Sequence, residues 1–349
     1  MNIKEIAKAA GVSVATISRA LNHPEQVLPE TRERVLAIMR ENNYTMRENN
    51  YTPNWFARGL NLGRTNTIAL LVPSIENHLY RKLISGIETI ARNKSYAVIL
   101  CHTESNPERE LEYLRMVKSR SIDGVILVSS ALERQQLAAL QSPRAPAVHV
   151  GKTGTPGFDA LCYIDFEECA FRLTQHLLSL GRRRITLLAD EKLRGECGQI
   201  ESGCKRALES VAGAEPLDVL SCGNSVQDGY MATQRMLLMP DAEDRAILTF
   251  SDTQAFGALK AANDSHVAVP EQLAIASMMD SAMCGIVNPP VTSVELPGAR
   301  LGMVAARMLF DAIENQELAV EPPREIVLQP KLKIRRSCGN RKYIYELFD

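Results

Sequence analysis

Ala15, Ser18, Arg19 and Asn22 recur at helical spacing, and the face they share is small, polar and cationic. Such a face suits the major groove of DNA. Short side chains let the backbone approach, hydroxyls and the helix N-terminus meet phosphates, and an arginine can fork onto a guanine edge. The inward face carries Ile17 and Leu21. The same pattern also describes a solvated amphipathic helix, and this helix alone does not decide between the two.

The neighbouring residues supply the scaffold such a helix needs. Ile3, Ile6, Ala7 and Ala10 fall at i, i+3, i+4 and i+7, the stripe of a preceding short helix. Gly11 can take the positive φ that ends it, and Ser13 can cap the next one. The spacing predicts a helix-turn-helix over residues 3–22. Charge is distributed to match: residues 1–66 carry nine Lys/Arg against six Glu, net +3, which leaves −4 on the remainder of a chain whose total is −1. A basic head on a mildly acidic body suggests a polyanion-binding module joined to a module for a different partner.

With 349 residues and 45% hydrophobic content, the chain can bury two or three cores. No run of eighteen apolar residues is present, and the N-terminus lacks a signal-peptide core, so the reading is a cytoplasmic protein without membrane contact. Eight scattered cysteines form no C-x-x-C pair or zinc spacing, which points to reduced thiols.

From Asn66 onward, short β-rich runs alternate with helical stretches. Strands are expected at 68–72, 97–101, 124–128, 147–150, 185–189, 246–250 and 273–277, and helices at 80–92, 108–118, 169–180 and 253–263. That alternation predicts parallel sheets covered by helices. Ligands of such sheets sit beyond the carboxyl ends of strands, which nominates the segments after Val72, Val128 and Phe250.

Between head and body lies a tandem repeat: Met39-Arg-Glu-Asn-Asn-Tyr-Thr45 recurs at once as Met46-Arg-Glu-Asn-Asn-Tyr-Thr52. If helical, one copy pushes the following segment about 10 Å along the axis; if looped, it lengthens a tether at small entropic cost. Tyr44 is expected to fill an aromatic position of the head's core, with the second copy as an extension.

The stretch Ile3-Lys-Glu-Ile-Ala-Lys-Ala-Ala-Gly-Val-Ser-Val-Ala-Thr-Ile-Ser-Arg-Ala-Leu-Asn22 resembles the DNA-binding head of the lactose repressor (LacI) family of bacterial transcription factors. So do Thr31-Arg32-x-Arg34-Val35 and Pro53-Asn54-x-x-Ala57-Arg58-x-Leu60. The resemblance implies that Val14 and Ala15 discriminate operators, that Arg19 reads a base, and that Ser13, Thr16 and Asn22 hold phosphates. It makes the stretch from Pro53, with Asn54, Ala57 and Arg58, a hinge helix whose Leu60 wedges into the minor groove. A helix of under three turns is marginal alone, so pairing with a dimer mate on DNA would order it.

For the body the resemblance implies a periplasmic-binding-protein-like core of two α/β subdomains around an effector cleft. Tyr80 is a candidate aromatic platform or a half-buried tyrosine at a helix start. Ser251 is expected to face ligand, and Asp252 either to face ligand or to cap the following helix. Two positions depart from the family: Ile200 stands where an arginine is common, and Ser277-Met278-Met279 replaces Gly-Phe-Asp, with Asp280 one position late.

The organisation expected is therefore a small all-α head with the repeat (1–52), a hinge and linker (53–65), an effector-binding and dimerisation core (66–338) and a C-terminal tail (339–349). Gly151-Lys152-Thr153 imitates the end of a phosphate loop, but Pro146 occupies the position that needs glycine. With no catalytic set, no metal ligands and no cofactor motif, the function expected is a ligand-responsive repressor. It would bind a near-palindromic operator as a homodimer. The rival is a cytosolic solute-binding or catalytic α/β protein with a non-functional head.

Overall fold

Helix α1 (Ile3–Ala10) ends where Gly11 takes φ +63°, a value glycine adopts without steric cost. The Val12 N–H donates to the Ala7 carbonyl at 3.0 Å and closes the turn. Ser13 then caps α2 (Val14–Asn22), accepting the Thr16 N–H at 3.1 Å. A third helix, α3 (Pro29–Glu41), opens on proline and packs across the first two. Ile6, Ala7, Ala10, Ile17, Ala20, Val35 and Met39 form the head's core. Each fully buried isoleucine there contributes about 1.5–3 kcal/mol. Asn42 closes α3, its amide donating to the Ile38 carbonyl at 2.8 Å.

The computed structural model describes residues 3–22, 24–42, 65–119, 122–130, 132, 136, 145–152, 160–239, 245–314 and 324–340. The chain divides into two units, Met1–Thr65 and Asn66–Asp349. Met39 and Asn42 of the first repeat copy serve the head's core and the end of α3. Tyr44, the second copy and the hinge positions Asn54, Ala57, Arg58 and Leu60 lie outside the described residues.

In the larger unit the chain runs β1 (Thr67–Val72), α4 (His78–Asn93), β2 (Ala97–His102), α5 (Pro107–Ser119), β3 (Gly124–Val128), β4 (Ala147–Val150) and β5 (Ala160–Ile164). It continues as α6 (Phe166–Ser179), β6 (Arg184–Asp190), α7 (Arg194–Glu209), β7 (Asp218–Cys222), α8 (Val226–Leu237), β8 (Arg245–Thr249) and α9 (Asp252–Asp264). Then come β9 (Leu273–Ser277), α10 (Ala282–Ile286), β10 (Thr292–Glu295), α11 (Gly298–Glu314), β11 (Arg324–Leu328) and β12 (Lys331–Lys333).

These strands make two six-stranded sheets, ordered β11-β5-β4-β3-β1-β2 and β12-β10-β9-β8-β6-β7. Every pairing is parallel except β10 with β12. Strands covered on both faces read as near-continuous apolar runs, as in the Ile-Ala-Leu-Leu-Val of β1 and the fully buried β3 and β9. The chain passes between the sheets three times, after Ile164, after Glu295 and after Leu328. Two subdomains joined by three short passages can pivot around a cleft.

All seven expected strands form, with ends within a residue or so; β5, β7, β10, β11 and β12 are additional. All eight cysteines are free, and only Cys222 is less than buried. No described helix is long and apolar enough to cross a membrane.

Candidate functional site

Among the described residues two surfaces carry chemistry, one in each unit. In the head, Ile17 and Ala20 point α2 inward, which leaves Ser13, Val14, Ala15, Ser18 and Arg19 exposed and Thr16 half-buried. Val14 is 38% exposed, a large fraction for an apolar side chain at the start of a helix. The Ser13 and Thr16 hydroxyls lie 2.9 Å apart at the first turn, the end of a helix where backbone N–H groups point outward. The face therefore offers hydroxyls and amides for phosphates at one end and a guanidinium one turn on. The side chain of Asn22 lies outside the described residues.

In the body, a cavity of about 720 Å³ opens between the two sheets. Leu79, Leu83, Val128, Val150, Leu193 and Met279 give it an apolar lining, and Tyr80, Tyr163, Phe166 and Phe250 add aromatic rings. Polar groups enter from strand ends: Ser129 and Ser130 after β3, Gly151 and Lys152 after β4, Glu191 and Lys192 after β6. Glu104, Ser105 and Ser129 of this lining hold left-handed backbone, with φ of +55°, +54° and +48°. Strained backbone of this kind persists where the surrounding structure enforces it.

Tyr80 sits on the first turn of α4, which Asn77 caps by accepting the Leu79 N–H at 2.9 Å. Its ring is buried, and its hydroxyl donates to Ser129 Oγ at 3.3 Å. Burial, with Glu196 across the cleft, pushes the phenol well above its ordinary value. Glu196, on the first turn of α7, faces Tyr80 and Ser129 from the opposite subdomain. Burial raises its carboxyl, against which the Ser129 hydroxyl acts. One turn on, Gln199 Oε1 is buried without a hydrogen-bond partner.

His149 lies at the floor, its Nδ1 3.1 Å from the Gly151 carbonyl oxygen, and burial pushes it down to about 4. Lys152 pairs with Asp165 at 3.2 Å. Ser130 donates to the buried Glu110 carboxylate.

Ser251 and Asp252 do not line this cavity. Ser251 Oγ accepts the Gln254 N–H at 3.3 Å, and Gln254 Oε1 accepts the Ser251 N–H in return at 3.2 Å, a capping box that spends the hydroxyl on α9. Asp252 is buried at the first position of that helix, its Oδ1 accepting the Thr253 N–H at 3.1 Å. Their neighbour Phe250 reaches the cavity instead. Ile200 is fully buried in the core, and Met279 lines the cleft while Asp280 turns away to Arg335 and Lys333.

Glu196, Gln199, His149 and Lys152 were not singled out from sequence as ligand contacts. The ends of β4 and β6 were a usable signal, since the rule applied after Val128 holds equally after Val150 and Asp190. Among the described residues no group of His, Cys, Asp and Glu could hold a metal ion.

Residues 2–46 match the family described as bacterial regulatory proteins, lacI family, and residues 174–338 match the periplasmic binding protein-like domain. The chain is 30% identical over 337 residues to catabolite control protein A of Staphylococcus epidermidis, covering 96% of this chain and 98% of that one. It is 30% identical over 319 residues to the HTH-type transcriptional regulator RegA of Clostridium saccharobutylicum, covering 91% and 94%. Among solved structures, a LacI family transcriptional regulator from Enterococcus faecium with bound ribose superposes with a TM-score of 0.68 at 27% identity, covering 78% of this chain and 98% of that one.

Proposed function

The chain belongs to the lacI family of bacterial regulatory proteins and is a DNA-binding transcriptional regulator, and we propose that it is a repressor whose hold on its operator is set by a small molecule in the body's cleft. The observation that carries this reading is the presence in one chain of an exposed small, polar, cationic helix face and a ligand-sized cavity between two subdomains. One helix reads few base pairs, so the protein acts as a homodimer on two half-sites of a near-palindromic operator. Its place is the cytoplasm, with the DNA, and it performs no catalysis. The ribose held by the Enterococcus relative supports a sugar or related metabolite as effector. Such a ligand switches the protein only by preferring one arrangement of the subdomains over the other.

The roles proposed within the head are base reading by Val14, Ala15 and Arg19 and phosphate contact by Ser13, Thr16 and Asn22, with Ser18 on the same DNA-facing surface. Asn54, Ala57, Arg58 and Leu60 supply the hinge contacts. A gel-shift salt series tests this. Binding to the preferred operator is expected to fall steeply as salt rises, because phosphate neutralisation releases counterions. Arg19→Ala is expected to cost about 1–3 kcal/mol on the preferred operator and little on random DNA. Unaltered preference in that variant would overturn the assignment of the reading helix, and the absence of any sequence preference in the parent chain would favour a solute-binding body with an idle head.

The two repeat copies are identical, so removing either gives one and the same chain, with the Met39 and Asn42 contacts retained. We expect Met46–Thr52 deletion to leave the head's stability unchanged and to tighten operator binding by roughly two- to tenfold, because a shorter tether raises the effective concentration of hinge beside head. Weaker binding after deletion would show that the added length is used.

A further inference from the structure

Resting on the reading of the cleft as the effector site, we propose that this cleft selects a small primary amine carried on an apolar or ring-shaped body, with the Glu196 carboxylate as its counter-charge and Gln199 Oε1 as a second acceptor.

Glu196 enters the cavity from α7 and meets Ser129 and Tyr80 of the other subdomain. Among the described residues no Lys, Arg or His forms an ion pair with it. The cations of the lining are placed otherwise: Lys152 is held by Asp165, while Lys192 and Arg194 are exposed. Glu104, Glu191, Lys192 and Arg194 are exposed and Lys152 is paired, so the charged side chain of the lining that is partly withdrawn from solvent without a counter-ion is the Glu196 carboxylate. A carboxylate in apolar surroundings without a cation is costly, and burial duly pushes Glu196 above its ordinary value. Its place on the first turn of α7, where its own backbone N–H meets the carboxylate, favours the ionised form all the same.

Gln199 gives an independent indication. It follows Glu196 by three residues, so both project from one face of α7, and its Oε1 is buried with no donor in reach. Two acceptors on one wall require a ligand rich in donors. An ammonium supplies three and no acceptor. Tyr80, Phe166 and Phe250 complete the match, because aromatic faces attract a cation as well as an apolar body, whereas the Tyr163 ring already has Lys152 Nζ over it at 5.9 Å. Asp190 lies behind the lining, its carboxylate accepting the Lys192 N–H at 2.9 Å, and its charge adds to the negative field at Glu196 that an anionic ligand would meet.

The test uses the full chain and matched probes in calorimetry and thermal shift near neutral pH. Glucosamine is set against glucose and phenethylamine against phenylethanol, with ribose, cellobiose and glucose 6-phosphate as further arms. At least one amine is expected to bind roughly ten- to a hundredfold tighter than its neutral twin. Glu196→Gln should erase that preference and Glu196→Asp should keep it, each variant checked for folding by circular dichroism. Should both variants misfold, the amine-to-neutral comparison in the parent chain still decides. Binding of a neutral or phosphorylated sugar without any amine overturns the inference and leaves the effector reading standing. Persistence of amine preference in folded Glu196→Gln also overturns it. No binding in any arm counts against the inference and the effector reading alike.

Discussion

Asp280→Ala is expected to destabilise the body by about 3–5 kcal/mol, read as a lower denaturant midpoint of its unfolding transition. The Asp280 side chain is 7% exposed; its Oδ1 accepts from Arg335 Nη1 at 2.8 Å and from Ser293 Oγ at 2.6 Å, and Lys333 Nζ approaches Oδ2 at 3.3 Å. Arg335 is itself 12% exposed and also donates to the Val291 carbonyl and to Ser293 Oγ, each at 2.6 Å. Removing the carboxylate leaves a buried guanidinium without its counter-ion, which costs more than the pair ever contributed. Asp280→Asn keeps the shape and an acceptor for Ser293, so its loss should be smaller.

The pH dependence follows from the same contacts. Burial raises the Asp280 carboxyl, but Ser293, Arg335 and Lys333 together outweigh it and hold the group below its ordinary 3.8. A depressed folded value means stability that is present above 3.8 and lost as pH falls through the folded value. The gap between parent and Asp280→Ala should therefore be full near neutrality and shrink at strongly acid pH. The position of the cluster gives it functional weight. Ser293 lies on β10 just before the second passage between subdomains, and Lys333 and Arg335 lie just after the third. Loosening it should alter how the two halves pivot as well as how firmly one half holds together.

The same residue shows why part of the site was hidden from sequence. Side chains at a strand end alternate faces, so a carboxylate displaced by one position turns to the opposite side. Met279 accordingly reaches the cleft, and Asp280 is spent on the core's ion cluster. Local signals were readable where local forces decide. The head follows from a helical stripe, a glycine at positive φ and a serine cap, and the buried strands follow from apolar runs.

Strands that depend on tertiary pairing were not readable. β7 alternates at an exposed edge, β11 opens on Arg-Glu, and β12 has three residues. Ser251 shows two explanations competing for one hydroxyl. Ser251-x-x-Gln254 is a capping-box spacing, and that signal outranked ligand contact. Glu196 and Gln199 sit on a helix with no motif; only the closing of one subdomain over the other makes them neighbours of Ser129 and Tyr80.

Gly302→Val should destabilise the body by about 3 kcal/mol or more, at or above the upper end of overpacking costs. Helix α11 lies on α4 so closely that a Cβ at Gly302 would stand 2.1 Å from the Leu83 carbonyl oxygen, and one at Gly86 2.1 Å from the Ala299 carbonyl oxygen. Both obstacles are backbone, which no rotamer change can clear, so the helices must separate. Gly302→Ala brings the same clash with fewer atoms and should fall between the parent and valine. Arg307→Val places the same branched residue on an exposed position of α11 and should stay within about 0.5 kcal/mol, which isolates the clash from helix propensity. The strain also reaches the site, because α4 contributes Leu79, Tyr80 and Leu83 to the cavity wall. At temperatures where Gly302→Val remains folded, ligands of the cleft should therefore bind more weakly than in the parent, whereas Arg307→Val should bind them as the parent does. Calorimetry on the two variants, with urea midpoints measured alongside, separates lost stability from a displaced wall, and equal affinity in both would show that α4 holds Tyr80 in place despite the clash.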